Sequence, residues 1–255
     1  MALTSLRVTN MRIPRLFTEQ NLISGTCIKL DKNASSYLLK VLRLQLGAEL
    51  HLFNGAEVNG TFGYFTAVIT NASKQAEVSI NNFIAEANQS PLHISLYQGI
   101  SKGDHMDITI QKAVELGVNE IFPVICERTV VNLKADRLDK KMRHWNGIVQ
   151  SSCEQSGRNK LLKIHQPIKY NQVQLAEKQT GIILQPESSQ SLFEIERTES
   201  VALLIGPEGG FSDDEITQAV SKSFTAVKFG PRILRTETAA IAAISIFQSA
   251  WGDLN

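Results

Sequence analysis

From Pro91 onward the chain changes rhythm, and that change limits its fold more than any other feature. The runs Ile182-Ile183-Leu184 and Val201-Ala202-Leu203-Leu204-Ile205 are apolar without alternation. A strand reads this way when both of its faces are buried, as in a parallel sheet covered by helices on both sides. Residues 92–97, 121–125 and 226–229 read as further strands. Residues 106–117 and 139–157 carry helical spacing between them, with Met142, Trp145, Ile148, Val149, Ser152 and Cys153 on one face of the second helix. An Ala/Ile-rich helix follows over 239–251. Strands alternating with helices predict an α/β fold with a parallel sheet.

Residues 1–72 follow another pattern. Segments 26–30 and 49–53 alternate, Asn54-Gly55 and Asn59-Gly60 are turn signals, and 63–70 reads as a half-buried strand. Residues 35–44 resemble a short helix ending near Gly47. Several short strands with one helix predict a small β-barrel of a kind that binds RNA or another polymer. The polar, loosely patterned segment 73–90 reads as a linker, and 91–255 as the second domain. There is no internal repeat.

Charge matters next, because the total conceals its distribution. The 255 residues balance to +1, yet residues 1–50 carry +4, 101–165 carry +3 and 166–255 carry −4. Within 128–163, nine basic residues face three acidic ones: Arg128, Lys134, Arg137, Lys140, Lys141, Arg143, Arg158, Lys160 and Lys163. Two basic regions beside an acidic C-terminal third are what a phosphate-binding surface leaves in a balanced chain, although a solvated helix face leaves the same trace. No apolar run is long enough for a membrane helix, and residues 1–10 lack the pattern of a secretory signal. Cys27, Cys126 and Cys153 are odd in number and far apart, so they read as free thiols in a reducing cytoplasm.

In open parallel sheets, ligands bind beyond the carboxyl ends of the strands. Three such ends stand out: Leu184-Gln185-Pro186-Glu187, Gly206-Pro207-Glu208-Gly209-Gly210-Phe211-Ser212, and Gly230 through Thr238 with Arg232, Ile233, Leu234, Arg235, Thr236 and Glu237. Ser212 and Glu215 have the spacing of a capping box, which fixes a helix start there. Neither nucleotide-binding glycine pattern is met, and the second loop carries Glu208 ahead of three more acids. An acidic, glycine-rich pocket suits a neutral or cationic ligand such as a sulfonium. Arg232 and Arg235 would bind phosphate, or would pair with Glu208 and Glu237. The five histidines show no metal spacing and read as structural or surface groups, and no serine-hydrolase elbow occurs.

Taken together, Ile205-Gly206-Pro207-Glu208-Gly209-Gly210-Phe211-Ser212 and Arg232-Ile233-Leu234-Arg235-Thr236-Glu237-Thr238-Ala239 resemble blocks of the bacterial 16S ribosomal RNA (uracil-N3)-methyltransferase family. That family belongs to the SPOUT class of trefoil-knotted enzymes. The likeness extends to Gln98 with Ser101-Lys102-Gly103-Asp104-His105-Met106-Asp107, to Gln111 through Gly117, to Glu127-Arg128-Thr129, and to Trp145 with Glu154-Gln155-Ser156-Gly157-Arg158. Arg12-Ile13-Pro14-Arg15 and Val41-Leu42-Arg43-Leu44 resemble its PUA-like RNA-binding barrel, although this chain has Ser35-Ser36 where the family often carries histidine.

The resemblance implies a SPOUT methyltransferase domain over 91–255 and a PUA-like barrel over 1–72. It implies S-adenosylmethionine held near Leu184, Gly206, Glu208, Gly209, Gly210, Ile233, Leu234 and Thr236, with no metal. Arg235, Glu237 and Arg232 become the catalytic candidates, and Arg12, Arg15, Arg43, Lys102, Arg128 and Arg158 the RNA-binding ones. The substrate would be N3 of a decoding-region uridine in 16S RNA of the small ribosomal subunit, methylated by a homodimer in the cytoplasm. Ile241, Ile244, Phe247 and Trp251 would form a dimer surface or the protomer's own core. Two readings compete with this one: a SPOUT enzyme acting on a ribose 2′-oxygen, and a non-catalytic assembly factor that retains the fold.

Overall fold

The computed structural model describes residues 13–86, 88–130 and 135–254, and the chain divides into two compact units, Met1–Ala87 and Asn88–Asn255. Arg12 and Lys134 lie outside the described residues.

In the first unit, strands β1 (Arg15–Phe17), β2 (Cys27–Lys29), β3 (Glu49–Phe53), β4 (Gly63–Ala72) and β5 (Ala76–Ala85) form one sheet in the order β1-β3-β4-β5-β2. The β1–β3 pair is parallel and the others antiparallel, so the sheet is mixed. Among the described residues β1 and β2 remain its edges, and no pairing closes it into the expected barrel. Alternation does its usual work in β4, where Phe65, Ala67 and Ile69 turn into a core with Leu38, Leu50, Leu52, Val78 and Ile80.

The segment expected as a linker is mostly β5. Its first half alternates inward at Ala76, Val78 and Ile80, while Asn81 and Asn82 hide the rest of the pattern behind polar side chains.

The expected helix is present but starts earlier, at α1 (Lys32–Ser36), where the Asp31 carboxylate accepts the Ala34 N–H. It then widens into a π-helical turn over Tyr37–Val41. Ser35, at a position where the family pattern often has histidine, is buried. Its hydroxyl donates to the Leu30 carbonyl at 3.3 Å and accepts the Ala76 N–H at 3.0 Å, tying helix to strand.

The second unit matches the α/β reading. Its strands are β6 (His93–Gly99), β7 (Glu120–Ile125), β8 (Lys163–Ile164), β9 (Ile168–Lys169), β10 (Thr180–Leu184), β11 (Ser200–Ile205) and β12 (Phe224–Val227). Every pairing is parallel, in the order β12-β10-β11-β6-β7-β8, with β9 also beside β7. Helices α2 (His105–Glu115), α3 (Ala135–Ser156), α4 (Asp213–Ser221) and α5 (Thr236–Trp251) complete it. Ile94, Leu96, Ile182, Ile183, Leu203 and Leu204 have no exposed surface, which is why these strands do not alternate.

Within α5, Ile244 and Phe247 are core, whereas Ile241 and Trp251 are half-buried. From β6 the chain moves to β7 on one side, and β11 later takes the place on the other. This is a switch point of the kind that opens a crevice at the carboxyl ends. Among the described residues, no helix is long and apolar enough to cross a membrane.

Candidate active site

Because β10, β11 and β12 lie side by side, the loops after Leu184, Ile205 and Val227 leave the sheet together. They enclose a cavity of roughly 700 Å³. Its lining includes Leu184, Gly206, Glu208, Gly209, Gly210, Ile233, Leu234 and Thr236, together with Arg232, Arg235 and Glu237. All catalytic and cofactor candidates from the sequence therefore meet in one place, joined by His105, Phe211 and Phe229.

The second loop is held by its own geometry and by its neighbours. Pro207 accepts the Gly210 N–H at 2.9 Å in a tight turn, and Gly210 takes a left-handed φ of +67°, which favours glycine. Ser212 then caps α4, accepting the Glu215 N–H while the Glu215 carboxylate accepts the Ser212 N–H, as the capping-box spacing predicts. At the end of β6, Gly99 lets this loop pass close by, since a Cβ there would lie 2.4 Å from the Pro207 nitrogen. The buried Gln98 amide donates to the Thr236 hydroxyl at 2.8 Å, and that hydroxyl donates to the Gly206 carbonyl at 2.6 Å. One side chain thus ties the start of α5 to the second loop, and the Thr236 hydroxyl shapes the cavity wall. Glu208 accepts the Lys102 N–H at 2.7 Å, and the Arg128 guanidinium donates to the Gly209 carbonyl at 3.1 Å.

The alternatives left open for the arginines separate here. Arg232 and Arg235 are exposed on the cavity wall, and neither forms an ion pair with Glu208 or Glu237 among the described residues. Glu237 instead meets His105, whose Nδ1 lies 3.1 Å from Glu237 Oε1. The other oxygen, Oε2, is buried and has no hydrogen-bond partner among the described residues. His105, read from the sequence as structural or surface, was missed as a site residue. Its place just after β6, at a strand's carboxyl end, was the available signal.

The proposed RNA contacts divide. Lys102, Arg128 and Arg43 are exposed. Arg158 needs correcting: it is 5% exposed, and its guanidinium donates to the Val114 and Val118 carbonyls at 3.0 and 2.7 Å and to the Gln89 side chain. It holds the carboxyl end of α2 in place and offers no surface to a phosphate. The Arg15 side chain is 8% exposed, lies over the Phe53 and Tyr64 rings and sits 3.7 Å from Glu86, so most of its surface is engaged inside the first unit. Burial pushes the Cys126 thiol up to about 12, so it is no thiolate nucleophile.

At the amino end of β7, in the same sheet, lies a second carboxylate. Glu120 Oε1 accepts the Ser95 hydroxyl at 2.8 Å and lies 3.4 Å from His93, while Oε2 lies 2.8 Å from His165. Gln179 joins Ser95 to Ser200. Burial alone would raise the Glu120 pKa, but the hydrogen bonds from His165, Ser95 and His93 outweigh it and hold the carboxyl below its usual range.

Comparison with known proteins gives the following. An RNA methyltransferase domain model matches residues 88–248. A ribosomal RNA small subunit methyltransferase E of Buchnera aphidicola subsp. Schizaphis graminum is 39% identical over 96% of this chain and 99% of its own. A ribosomal RNA small subunit methyltransferase E from Neisseria gonorrhoeae, solved bound to S-adenosyl methionine, is 38% identical with a TM-score of 0.87, covering 96% of this chain and 100% of its own. A Legionella pneumophila protein solved with bound cofactor SAM is 40% identical, with a TM-score of 0.90 over 95% of this chain and 100% of its own.

Proposed function

The chain belongs to the RNA methyltransferase domain family, alongside the ribosomal RNA small subunit methyltransferase E proteins, and from that premise we propose the atom and the RNA region on which it acts. It is an S-adenosylmethionine-dependent methyltransferase of small-subunit ribosomal RNA. The acceptor is N3 of a uridine in the decoding region of 16S RNA, and the substrate is the assembled small subunit in the cytoplasm. The working form is a homodimer, with the half-buried Ile241 and Trp251 of α5 on its surface. A trefoil knot through the three loops, a PUA-like RNA-binding role for the N-terminal sheet, and a methyltransferase domain over 91–255 complete the reading.

The residues present fit the cofactor. Gly206, Gly209 and Gly210 expose bare backbone, Leu184, Ile233 and Leu234 supply apolar walls, and Glu208 adds negative charge to the lining. These residues would hold S-adenosylmethionine, which supplies an electrophilic methyl on a sulfonium when bound. Thr236 would act through the Gly206 carbonyl that its hydroxyl fixes.

One observation carries the choice of N3: two guanidiniums with no ion-pair partner among the described residues line the same cavity as a half-satisfied carboxylate. A uracil N3 must lose its imide proton before it can attack a methyl carbon, which leaves negative charge on the flanking carbonyl oxygens. Arg232 and Arg235 stabilise that charge as it develops, and the cavity walls align N3 with the methyl. The base must also leave its stack to enter the cavity. Lys102, Arg128 and Arg43 hold RNA phosphates.

The test mixes pure protein, unmethylated small subunits and labelled cofactor, followed by mass spectrometry of the digested RNA. N3-methyluridine at one decoding-region position is the expected product. A ribose methyl would overturn the choice of acceptor. Absence of cofactor binding in calorimetry, with RNA affinity intact, would turn the protein into an assembly factor.

A further inference from the structure

We propose that His105 and Glu237 act as one unit, in which His105 positions Glu237 through Oε1 and the other oxygen, Oε2, takes the uracil N3 proton. The inference deepens the N3 reading and rests on it. His105 opens α2 and Glu237 lies in the first turn of α5, so two separate helix starts bring the pair together at 3.1 Å. The Glu237 side chain is 12% exposed, yet among the described residues only one of its two oxygens has a polar neighbour. A buried carboxylate oxygen without a donor is costly to maintain, and it is poised to receive a proton from a ligand.

The approach of His105 to one oxygen limits the carboxylate's rotation, and Glu237 lines the cavity that the base would enter. A 3.1 Å approach to a carboxylate oxygen favours a hydrogen on His105 Nδ1. The balance is simple. Uracil N3 gives its proton to Oε2, and its electron pair forms the bond to the methyl carbon. The carbon–sulfur bond breaks with its pair left on sulfur, discharging the sulfonium. One glutamic acid, one thioether and one N3-methylated uracil result, and the glutamic acid returns its proton to water.

The experiment compares the wild type with Glu237→Gln, His105→Ala and His105→Asn. Small subunits are reconstituted with 16S RNA containing either uridine or 5-fluorouridine, whose N3 is more acidic. Positioned proton transfer typically contributes 10²–10⁴-fold, so Glu237→Gln should slow single-turnover methyl transfer by about that range, with cofactor affinity unchanged in calorimetry. With 5-fluorouridine the defect should shrink at least about tenfold, because the proton leaves with less help. His105→Ala should lower kcat and leave KM in place. His105→Asn, whose amide offers an N–H toward Oε1, should recover most of the loss. In ¹⁵N spectra of the protein without ligand, His105 should carry its proton on Nδ1 and lose that preference in Glu237→Gln. Wild-type rates in Glu237→Gln, or an equal defect on both RNAs, would overturn the proton route while leaving N3 as acceptor. A wild-type product methylated at any other atom would overturn both.

Discussion

The two ends of the C-terminal sheet each hold a glutamate facing histidine, and they use the pair in opposite ways. At the amino ends, Glu120 has donors on both oxygens and its pKa is held down. At the carboxyl ends, among the described residues, Glu237 has His105 on one oxygen and no partner on the other, and two arginines without ion-pair partners line the same cavity. A satisfied network lowers the energy of the fold, whereas a half-satisfied one waits for a ligand to complete it. The same residue types therefore say little by themselves, and their unfilled valences locate the function.

The largest expected effect tests the carboxyl end. Arg235→Ala should reduce methyl transfer about 10²–10³-fold, the range for losing one donor to a developing anion, with cofactor binding and melting temperature unchanged. Near-wild-type turnover would remove Arg235 from the mechanism and leave the contrast resting on Glu237. At the amino end, Glu120→Gln should cost about 1–3 kcal/mol of stability and keep its turnover at low temperature. The depressed folded pKa gives the sign: the stability Glu120 contributes is complete above the ordinary value of 4.5 and disappears as pH falls through the lower folded value. Urea unfolding across that window should show a steeper acid loss in the wild type than in Glu120→Gln. If Glu120→Gln instead abolished transfer while the fold stayed intact, the contrast between the ends would collapse.

A smaller effect belongs to the loop support. Gly99→Ala places a Cβ 2.4 Å from the Pro207 nitrogen, so the second loop must shift. Cofactor affinity measured by calorimetry should weaken about tenfold, roughly 1.4 kcal/mol. The smallest concerns RNA. Arg128→Ala should lower the slope of log affinity against log salt by about one, whereas Arg158→Ala should leave the slope alone and lower the melting temperature. A reversed pattern would return Arg158 to the RNA surface.

Much of the site was legible because it is written in contiguous blocks. Gly206 through Ser212, its capping box and the run from Arg232 to Glu237 each carry local signals, and parallel strands deliver such blocks to one edge. What stayed hidden depends on residues far apart in sequence. Nothing near His105 announces Glu237, and nothing near Arg158 shows that its charge is directed at the carbonyls of Val114 and Val118. In the first unit, β5 was obscured because its outward face is polar, and the π-helical turn has no composition of its own. The closed barrel was read from strand number, but closure depends on edge pairing, which short segments do not specify.

The position of β11 has a consequence in time. It pairs with β6 across residues on the order of 100 positions apart, and β10 finds its neighbour only once β11 is in place. A ribosome making this chain must therefore release β11 as well as β6 before the central strands can meet. The loop that starts α5 comes later still, so the nascent chain holds no finished pocket until that loop has emerged. An enzyme that methylates ribosomal RNA is thus inert while the ribosome that makes it still holds the loop before α5.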